Sequence, residues 1–457
     1  MIIDFISLPR DRRAALIRDV IHHSKEKNSD LNAVVRREDE WVEHHIQEQL
    51  DKPLGGLPII IKDNILLEGT INEACSKVLE WYVAPYTSTI LQKLIDHGAL
   101  VIGKANMDEF AMGASNETSI YWPVNNPHNM NKVPGGSSGW SAAAVASGMV
   151  PIALGTDTGW SVRQPAALTW IIWRKPSYGR YSRYGIIAMG SSFDQVGIFA
   201  TSIEDIQTLD LLIAGIDEKD ETTVNSGETV VKQSWNSREK PKIAVPREYF
   251  SDALDSEIAK IIHEKIQVLR DAGYQVDEVS LPLLDKGIPT YYTLIGAEVS
   301  TNMARYDGIR YGLQGDTFGY DKISDYITSM RSEWLGSEVK RRILTGAYVL
   351  SSSHYEGYYV RAQQVRRLLQ QQVEEIFQHY DLILGPTSPE VAWDIGSKSD
   401  DPLRLYLADL YTVIANLVGC PAISVPVGEV DGLPVGMQLM GAQWSDEIML
   451  EMVKEMG

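Results

Sequence analysis

Two glycine-rich turns in this chain each carry a serine that could act as a nucleophile. The first is GGSSG, residues 135–139, which contains Ser137, and the second is DTGWS, residues 157–161, which ends at Ser161. Such turns present a hydroxyl without crowding and expose backbone N–H groups that can stabilise an oxyanion. This arrangement predicts acyl-transfer chemistry, although two tight loops in a core of small residues would have the same composition.

Lys62 is the candidate base, because a serine hydroxyl needs a neighbouring base before it can attack a carbonyl. Lys62 follows the apolar run PIII, which predicts a buried strand that ends at the lysine. The reference pKa of lysine is about 10.4, and burial can lower that pKa far enough for the amine to accept a proton. The alternative is an ion pair between Lys62 and the adjacent Asp63 at the end of the strand.

Two other patterns indicate chemistry that the surrounding residues exclude. GALVIGK, residues 98–104, has the spacing of a phosphate-binding loop, but Ala105 stands where the magnesium-binding hydroxyl should be, and the interior is apolar. GGSSG also satisfies the nucleophile-elbow pattern, which requires a strand before the serine and an acid and a histidine after it. The preceding residues predict a loop, and none of the nine histidines lies in a recognisable catalytic setting.

Short apolar runs alternate with amphipathic segments along the chain. This alternation predicts an α/β protein with a mixed, twisted sheet covered by helices on both faces. We expect one domain spanning residues 1–457. Residues 1–53 are predicted to be a helical segment, because apolar positions within residues 8–50 have helical spacing. Residues 217–240 are too polar to fold by themselves and predict a surface excursion.

The bulk composition excludes several classes of protein. Lys and Arg number 42 and Asp and Glu number 61, which gives a net charge of −19 and makes the chain a poor direct ligand for phosphate backbones. Cys75 and Cys420 lie far apart in no metal-ligand spacing, as is typical of the reducing cytoplasm. The N-terminal segment is charged where a signal peptide is apolar, and the apolar runs are too short to span a membrane. We therefore expect a cytoplasmic protein without membrane contact.

The order of several motifs resembles the amidase signature family. In the first half of the chain the resemblance rests on IKDNI, EFAMGASNETS, GGSSGxS, DTGxSVRQPA and KPSYGR. Later motifs resemble one branch of that family, the glutaminase subunit of the Glu-tRNA(Gln) amidotransferase. They are RYDGIRYG, RSExLGSEVKRRILTGAYVLS and VRAQQVRRL. Because these motifs extend over almost the whole chain, the resemblance implies the amidase signature fold throughout.

The resemblance implies a Ser–Ser–Lys catalytic centre that hydrolyses a carboxamide through an acyl-enzyme. Ser161 matches the nucleophile, and Lys62 matches the general base. Ser137 matches the bridging serine, whose preceding peptide bond is cis in the family. The oxyanion would be stabilised by the backbone N–H groups of Thr158, Gly159 and Trp160.

The glutaminase branch also implies a glutamine pocket. Arg342 in EVKRRI matches the residue that pairs with the α-carboxylate, a role that suits the planar guanidinium. Asp409 in YLADLYT matches the partner of the α-ammonium group. One tyrosine of the pair Tyr291–Tyr292 is implied to line the pocket, and Tyr291 is the candidate. Without the resemblance, Arg342 and Asp409 would be interpreted as a surface charge and a helix cap.

The branch further implies partners, the B and C subunits of the amidotransferase. This chain would supply ammonia from glutamine to the B-type partner, which converts Glu-tRNA(Gln) to Gln-tRNA(Gln), and the small C-type partner would complete a heterotrimer. ATP and Mg²⁺ would serve the B-type partner, tRNA would bind mainly through it, and no cofactor or metal is expected in this chain. Two other hypotheses stay open: a free-standing amidase acting on another small amide, and a catalytically inactive scaffold.

Seven tryptophans stand where the family carries glycine, or commonly does. They are Trp81, Trp122, Trp140, Trp160, Trp170, Trp173 and Trp334. Such a replacement in a packed core costs on the order of 1–3 kcal/mol per site, and more where φ is positive. Seven such costs are incompatible with a total stability of about 5–15 kcal/mol. We predict that these positions are glycine in the cell, encoded by UGA codons read as glycine. The alternative is a tryptophan-rich paralogue with a blocked site.

Overall fold

An eleven-stranded mixed β-sheet organises the protein, whose computed structural model describes residues 1–224, 240–316, 319–398 and 402–456. In chain order, strands β1 to β11 are Val34–Arg37, Leu57–Lys62, Ala99–Ala105, Ile152–Asp157, Ile172–Lys175, Gln195–Ala200, Ile243–Pro246, Val276–Val279, Leu382–Pro386, Ala422–Val430 and Leu433–Gly441. Their order in the sheet is β1–β3–β2–β4–β6–β5–β10–β11–β9–β7–β8. The predicted mixed α/β architecture is confirmed.

Fifteen α-helices accompany the sheet within the described ranges. In chain order, α1 to α15 are Ile2–Ser7, Arg10–Leu31, Asp39–Gln49, Thr89–Asp96, Gly139–Ala146, Arg163–Thr169, Ile203–Ile213, Ser256–Asp271, Gly287–Met303, Ile323–Trp334, Ser337–Leu350, Arg361–Ile376, Pro402–Leu407, Val413–Val418 and Asp446–Glu455. None of these described helices has the length and apolarity required to cross a membrane.

The strands that carry the candidate site are buried on both faces. Every residue of β2, β3 and β4 is buried, and β2 pairs in parallel with β3 on one side and β4 on the other. Continuous apolar runs are typical of parallel strands covered on both faces, and LPIIIK in β2 is such a run. The helix α5 packs against β2 and β4. The predicted buried strand ending at Lys62 is therefore confirmed.

The N-terminal segment differs from the predicted continuous helical region. Residues Val34–Arg37 form β1 between α2 and α3, and β1 pairs antiparallel with β3. The prediction of helix for these four residues was wrong, because pairing with β3 overrides the helical spacing of the apolar residues around them. The predicted surface excursion at 217–240 falls largely outside the described residues.

The seven tryptophans at predicted glycine positions do not share one environment. Trp81 and Trp170 have φ of 62° and 60°, the left-handed region that bulky residues rarely adopt. Trp140, Trp160 and Trp173 are completely buried. The Trp173 ring lies against Gly197, where an added Cβ would lie 1.9 Å from Trp173 Cζ2. The prediction that these positions are glycine in the cell stays a prediction.

We expect Trp170→Gly to be more stable than Trp170→Ala by about 1–2 kcal/mol. Both variants lose the indole, but only glycine adopts the left-handed conformation at the end of α6 without a steric cost. The matched control is Trp122, an exposed residue whose φ is not positive, where alanine should be at least as stable as glycine. Urea unfolding measures both differences. Equal stability of the two Trp170 variants would contradict the strain argument.

Candidate active site

The carboxyl ends of neighbouring strands bring the candidate catalytic residues together. Strand β2 ends at Lys62, and its parallel neighbour β4 ends at Asp157. The turn that contains Ser137 leads directly into α5, which begins at Gly139, and Ser161 lies between β4 and α6. Because parallel strands end at the same edge of the sheet, the side chains on these turns converge.

Lys62 is completely buried, and its amine nitrogen lies within hydrogen-bond distance of four oxygen atoms. Nζ lies 2.7 Å from Ser137 Oγ, 2.8 Å from Ser138 Oγ, 3.0 Å from Thr156 Oγ1 and 3.4 Å from the Thr156 carbonyl oxygen. The peptide bond between Gly136 and Ser137 is cis. The structure thus brings two of the sequence-predicted residues, Lys62 and Ser137, into direct contact.

Burial lowers the pKa of Lys62 to about 7, because desolvation disfavours the charged ammonium. The negative charges of Asp108, Asp157 and Asp194 act in the opposite direction and keep the pKa from falling further. A substantial fraction of Lys62 is therefore neutral near pH 7, and the neutral amine is the form that can accept a proton.

Asp63, the alternative partner of Lys62, has other contacts. Its Oδ2 accepts hydrogen bonds of 3.1 Å from the backbone N–H groups of both Glu73 and Cys75. The Asp63 carboxylate therefore stabilises the segment that follows β2. The four oxygen atoms around Lys62 Nζ all belong to uncharged groups.

The hydrogen bonds around Lys62 direct the lone pair of its neutral amine. Ser138 Oγ donates to the Thr156 carbonyl oxygen at 3.1 Å and accepts from the Thr156 N–H at 3.3 Å, so its remaining lone pair is available to one Lys62 N–H. Thr156 Oγ1 accepts from Asn64 Nδ2 at 3.0 Å and lies within reach of the second Lys62 N–H. With both N–H groups engaged, the lone pair of the amine faces Ser137 Oγ.

Ser161 lies beside this group on a loop that is tied to the Ser137 turn. The Ser138 N–H donates to the Ser161 carbonyl oxygen at 2.9 Å. Ser161 Oγ is buried and has no hydrogen-bond partner among the described residues. Within the same described part of the chain, the backbone N–H groups of Thr158, Gly159 and Trp160 donate to no acceptor. A free hydroxyl beside unpaired amides can attack a carbonyl and stabilise the resulting oxyanion.

The loop that follows β4 is held by a completely buried ion pair. Arg163 Nε lies 3.1 Å from Asp157 Oδ2, and Arg163 Nη2 donates to the Gly159 carbonyl oxygen at 2.8 Å. Arg163 Nη1 donates to the Thr412 carbonyl oxygen at 2.7 Å, and Asn416 Nδ2 donates to Asp157 Oδ1 at 2.9 Å. One guanidinium therefore connects the loop to the chain segment that precedes β10.

A second buried carboxylate holds the start of the same loop. Thr158 Oγ1 donates to Asp194 Oδ1 at 2.7 Å, and the backbone N–H groups of Met189 and Gly190 donate to the same carboxylate. Burial raises the pKa of Asp194 to about 6, and these hydrogen bonds limit the rise. Thr158 is thereby held by its side chain while its N–H stays unpaired.

The residues predicted to bind glutamine form a buried cluster of unpaired polar atoms. Tyr291 OH on α9, Arg342 Nη1 on α11 and Asp409 Oδ1 between α13 and α14 have no hydrogen-bond partner within the described ranges. Their neighbouring atoms are paired: Arg342 Nε donates to Glu338 Oε1 at 2.7 Å, and Tyr292 OH donates to Asp409 Oδ2 at 2.9 Å. Buried polar atoms are normally paired, so this cluster indicates a ligand site.

The charges of this cluster suit a zwitterion. Burial raises the pKa of Asp409 well above its ordinary value, and the nearby Arg342 guanidinium opposes that rise. A cationic group placed at Asp409 Oδ1 would favour the ionised carboxylate. Of the two candidate tyrosines, Tyr291 keeps a free hydroxyl among the described residues, whereas the Tyr292 hydroxyl is bound to Asp409.

Trp160 links the catalytic loop to this cluster. Its ring centroid lies 5.4 Å from that of Tyr291 and 5.9 Å from that of Tyr292, and Arg342 Cζ lies 5.9 Å from the indole. The indole Nε1 donates to the Gly113 carbonyl oxygen at 3.2 Å. The side chain of Trp160 therefore occupies space among the residues predicted to bind substrate.

Sequence reasoning missed four residues of this site. Ser138 and Arg163 lie inside motifs already singled out, GGSSG and DTGWSVRQPA, and Glu338 precedes Arg342 by four residues on one helix face. Thr156 had no comparable signal, because it lies within the buried strand β4. Among the described residues, no three His, Cys, Asp or Glu side chains are grouped so that they could hold a metal ion.

Residues 15–450 match the protein-family model described as "Amidase". A relative from Clostridium botulinum, named as the A subunit of Glutamyl-tRNA(Gln) amidotransferase, is 46% identical over 400 residues, which cover 87% of this chain and 82% of the relative. A protein of the same name from Exiguobacterium sibiricum is 45% identical over 420 residues, 92% of this chain and 86% of the relative.

A solved structure supports the same relationship. The crystal structure of the protein of that name from Thermotoga maritima superposes with a TM-score of 0.81 at 36% sequence identity. The superposition covers 98% of this chain and 92% of that chain. The similarity therefore extends over the sheet, the helices and the loops described above.

We expect Arg163→Ala to lower the free energy of unfolding by about 3–5 kcal/mol, because the substitution leaves the buried Asp157 carboxylate without its charge partner. Urea unfolding measures the change. The matched control is Arg367→Ala, which removes an exposed arginine 3.4 Å from Glu374 and should change the stability little. An Arg163→Ala protein as stable as this control would contradict the role of the buried pair.

Proposed function

This chain belongs to the amidase family, and on that premise we propose that it is the glutamine-hydrolysing subunit of a Glu-tRNA(Gln) amidotransferase. The observation that carries the proposal is that the guanidinium of Arg342 and the carboxyl group of Asp409 each keep a buried atom unpaired in the described structure, as does the hydroxyl of Ser161. The names of relatives that match over 82% or more of their length support the same function.

Substrate recognition rests on the zwitterionic end of glutamine. The α-carboxylate binds Arg342 Nη1, and the α-ammonium group binds Asp409 Oδ1, which favours the ionised form of that buried carboxylate. Tyr291 OH is the third unpaired atom of the cluster and contacts the substrate backbone. This arrangement directs the side-chain carboxamide towards Ser161.

Catalysis begins when Ser161 Oγ attacks the carboxamide carbon of glutamine. Ser137 takes the proton of Ser161 and passes its own proton to the neutral amine of Lys62, 2.7 Å away. The backbone N–H groups of Thr158, Gly159 and Trp160 stabilise the tetrahedral oxyanion. The C–N bond then breaks, and ammonia leaves with the proton returned through the same relay.

Deacylation completes the cycle. Water attacks the ester carbonyl of the glutamyl-enzyme on Ser161, gives its proton to the relay of Ser137 and Lys62, and releases glutamate. Ser138 and Thr156 act as positioning residues, because their hydrogen bonds hold the amine with its lone pair towards Ser137.

Ammonia passes to the B-type partner, which amidates Glu-tRNA(Gln) with ATP and Mg²⁺, and the small C-type partner completes the heterotrimer in the cytoplasm. The net charge of −19 supports binding of tRNA mainly through the B-type partner, because a strongly acidic chain repels a phosphate backbone. A free-standing amidase acting on a simple amide would offer no ligand for the unpaired Arg342 Nη1 and Asp409 Oδ1.

We expect Arg342→Ala to raise the KM for glutamine roughly 30-fold or more, because a buried charge–charge contact with the substrate is lost. Hydrolysis of propionamide, which lacks both charged groups, should change much less. The assay uses the complex with its partners. Arg342→Ala is compared both in the protein that carries Trp160 and in a Trp160→Gly background, because Trp160 lies against Arg342. Arg367→Ala is the control. Unchanged glutamine turnover when Arg342→Ala is introduced into an active Trp160→Gly protein would sink the amidotransferase assignment in favour of another small amide.

We expect kcat/KM to rise with pH through a pKa of about 7, because protonated Lys62 cannot accept a proton and the neutral form predominates above that pKa. Propionamide is the substrate of choice, since its binding does not depend on the ionisation of Asp409. Lys62→Arg, which stays charged at all these pH values, should be inactive throughout. A rate that is independent of pH, or that falls as pH rises through this range, would argue against Lys62 as the base.

A further inference from the structure

The candidate pocket holds four buried polar atoms, and one bulky aromatic side chain packs against two of the residues that carry them. The atoms are Ser161 Oγ, Tyr291 OH, Arg342 Nη1 and Asp409 Oδ1, and none has a partner in the part of the chain that the structure describes. The aromatic side chain is the indole of Trp160, which is itself completely buried. An indole ring cannot accept a hydrogen bond in its plane, so it satisfies none of these groups.

The contacts of the indole place it on the binding surface. Arg342 Cζ lies 5.9 Å from the indole centroid, and Tyr291 packs edge-to-face against the same ring at 5.4 Å. The indole Nε1 donates away from the cluster, to the Gly113 carbonyl oxygen. Arg342 Cζ also lies 5.4 Å from the Tyr292 ring and 5.9 Å from the Tyr406 ring. Of these three rings, the indole is the one that belongs to the loop that carries Ser161.

The backbone beneath the indole has little freedom to move it aside. Arg163 holds the Gly159 carbonyl oxygen at 2.8 Å, and a Cβ added to Gly159 would lie 2.8 Å from Tyr291 Cζ. The loop is thus clamped on one side and in close contact with α9 on the other.

We propose that residue 160 determines whether the pocket admits glutamine: the indole of Trp160 closes the pocket, and the form that hydrolyses glutamine carries glycine there. This inference rests on the proposed function and adds the determinant of substrate access. Replacing Trp160 by glycine removes only the side chain and leaves the backbone N–H in place for the oxyanion. Within the set of seven tryptophans, this position is the one whose side chain contacts both Tyr291 and Arg342 in the described structure.

Glutamine turnover by the complex with its partners tests the proposal. We expect the Trp160→Gly variant to turn over glutamine at least about 100-fold faster than the protein that carries Trp160. The gain for Trp160→Ala should be smaller. The matched control is Trp122→Gly, which removes an exposed tryptophan and should give no gain. Equal and measurable glutamine turnover by the Trp160 and Trp160→Gly proteins would overturn the inference and leave the proposed function standing.

Two further readouts separate the inference from the function on which it rests. A fluorophosphonate probe that labels serine nucleophiles should react with Ser161 in Trp160→Gly, which establishes that the variant is folded and its nucleophile is accessible. The Trp160→Gly variant could hydrolyse propionamide faster than the Trp160 protein and still not hydrolyse glutamine. In that case the glutaminase function is wrong, while the role of residue 160 stands. If neither amide gains, the role of residue 160 is wrong.

The protein made by its source cells gives an independent test. Peptide mass spectrometry of the purified native complex should find glycine at position 160. The intact mass of the native protein should also be lower than the mass calculated for the sequence with tryptophan. A native complex that hydrolyses glutamine and carries tryptophan at position 160 would overturn the proposal.

Discussion

The burial of Lys62 is the constraint on which the catalytic half of this structure depends. An amine at the end of a strand that is buried on both faces loses its hydration, and the pKa of Lys62 falls to about 7 as a result. Its N–H groups must still be paired, and hydroxyl groups from the turn before α5 and from β4 supply the partners. The pairing of β2 with β4 therefore serves both the sheet and the protonation state of the base.

Side chains from the second half of the chain carry the unpaired polar atoms of the candidate glutamine pocket. Arg342 lies on α11, Tyr291 on α9 and Asp409 before α14. Arg163 connects the loop after β4 to the segment that follows Asp409, because it donates to both the Gly159 and the Thr412 carbonyl oxygens. A single buried guanidinium thus holds the loop after β4 against the segment that contains Asp409.

The tryptophans at predicted glycine positions do not share one physical cost. At Trp81 and Trp170 the cost is conformational, because the backbone adopts the left-handed region whatever the side chain contacts. Trp160 has no positive φ, and its effect is steric and local to the pocket. The ring of Trp173 fits against the neighbouring strand because Gly197 on that strand has no side chain. Of these positions, Trp160 is the one whose indole lies against Arg342 in the described structure.

The amino-acid sequence alone was sufficient for the mixed α/β class, the buried strand at Lys62 and the family, because apolar runs and motif order are local properties of the chain. It was insufficient for β1, which forms by pairing with a strand about 65 residues away, and for Ser138 and Thr156 as partners of Lys62. The position of the Trp160 indole against Arg342 likewise emerged only in three dimensions. Contacts between residues far apart in the chain leave no periodic pattern in it, so folding alone decides which groups meet and which polar atoms stay unpaired.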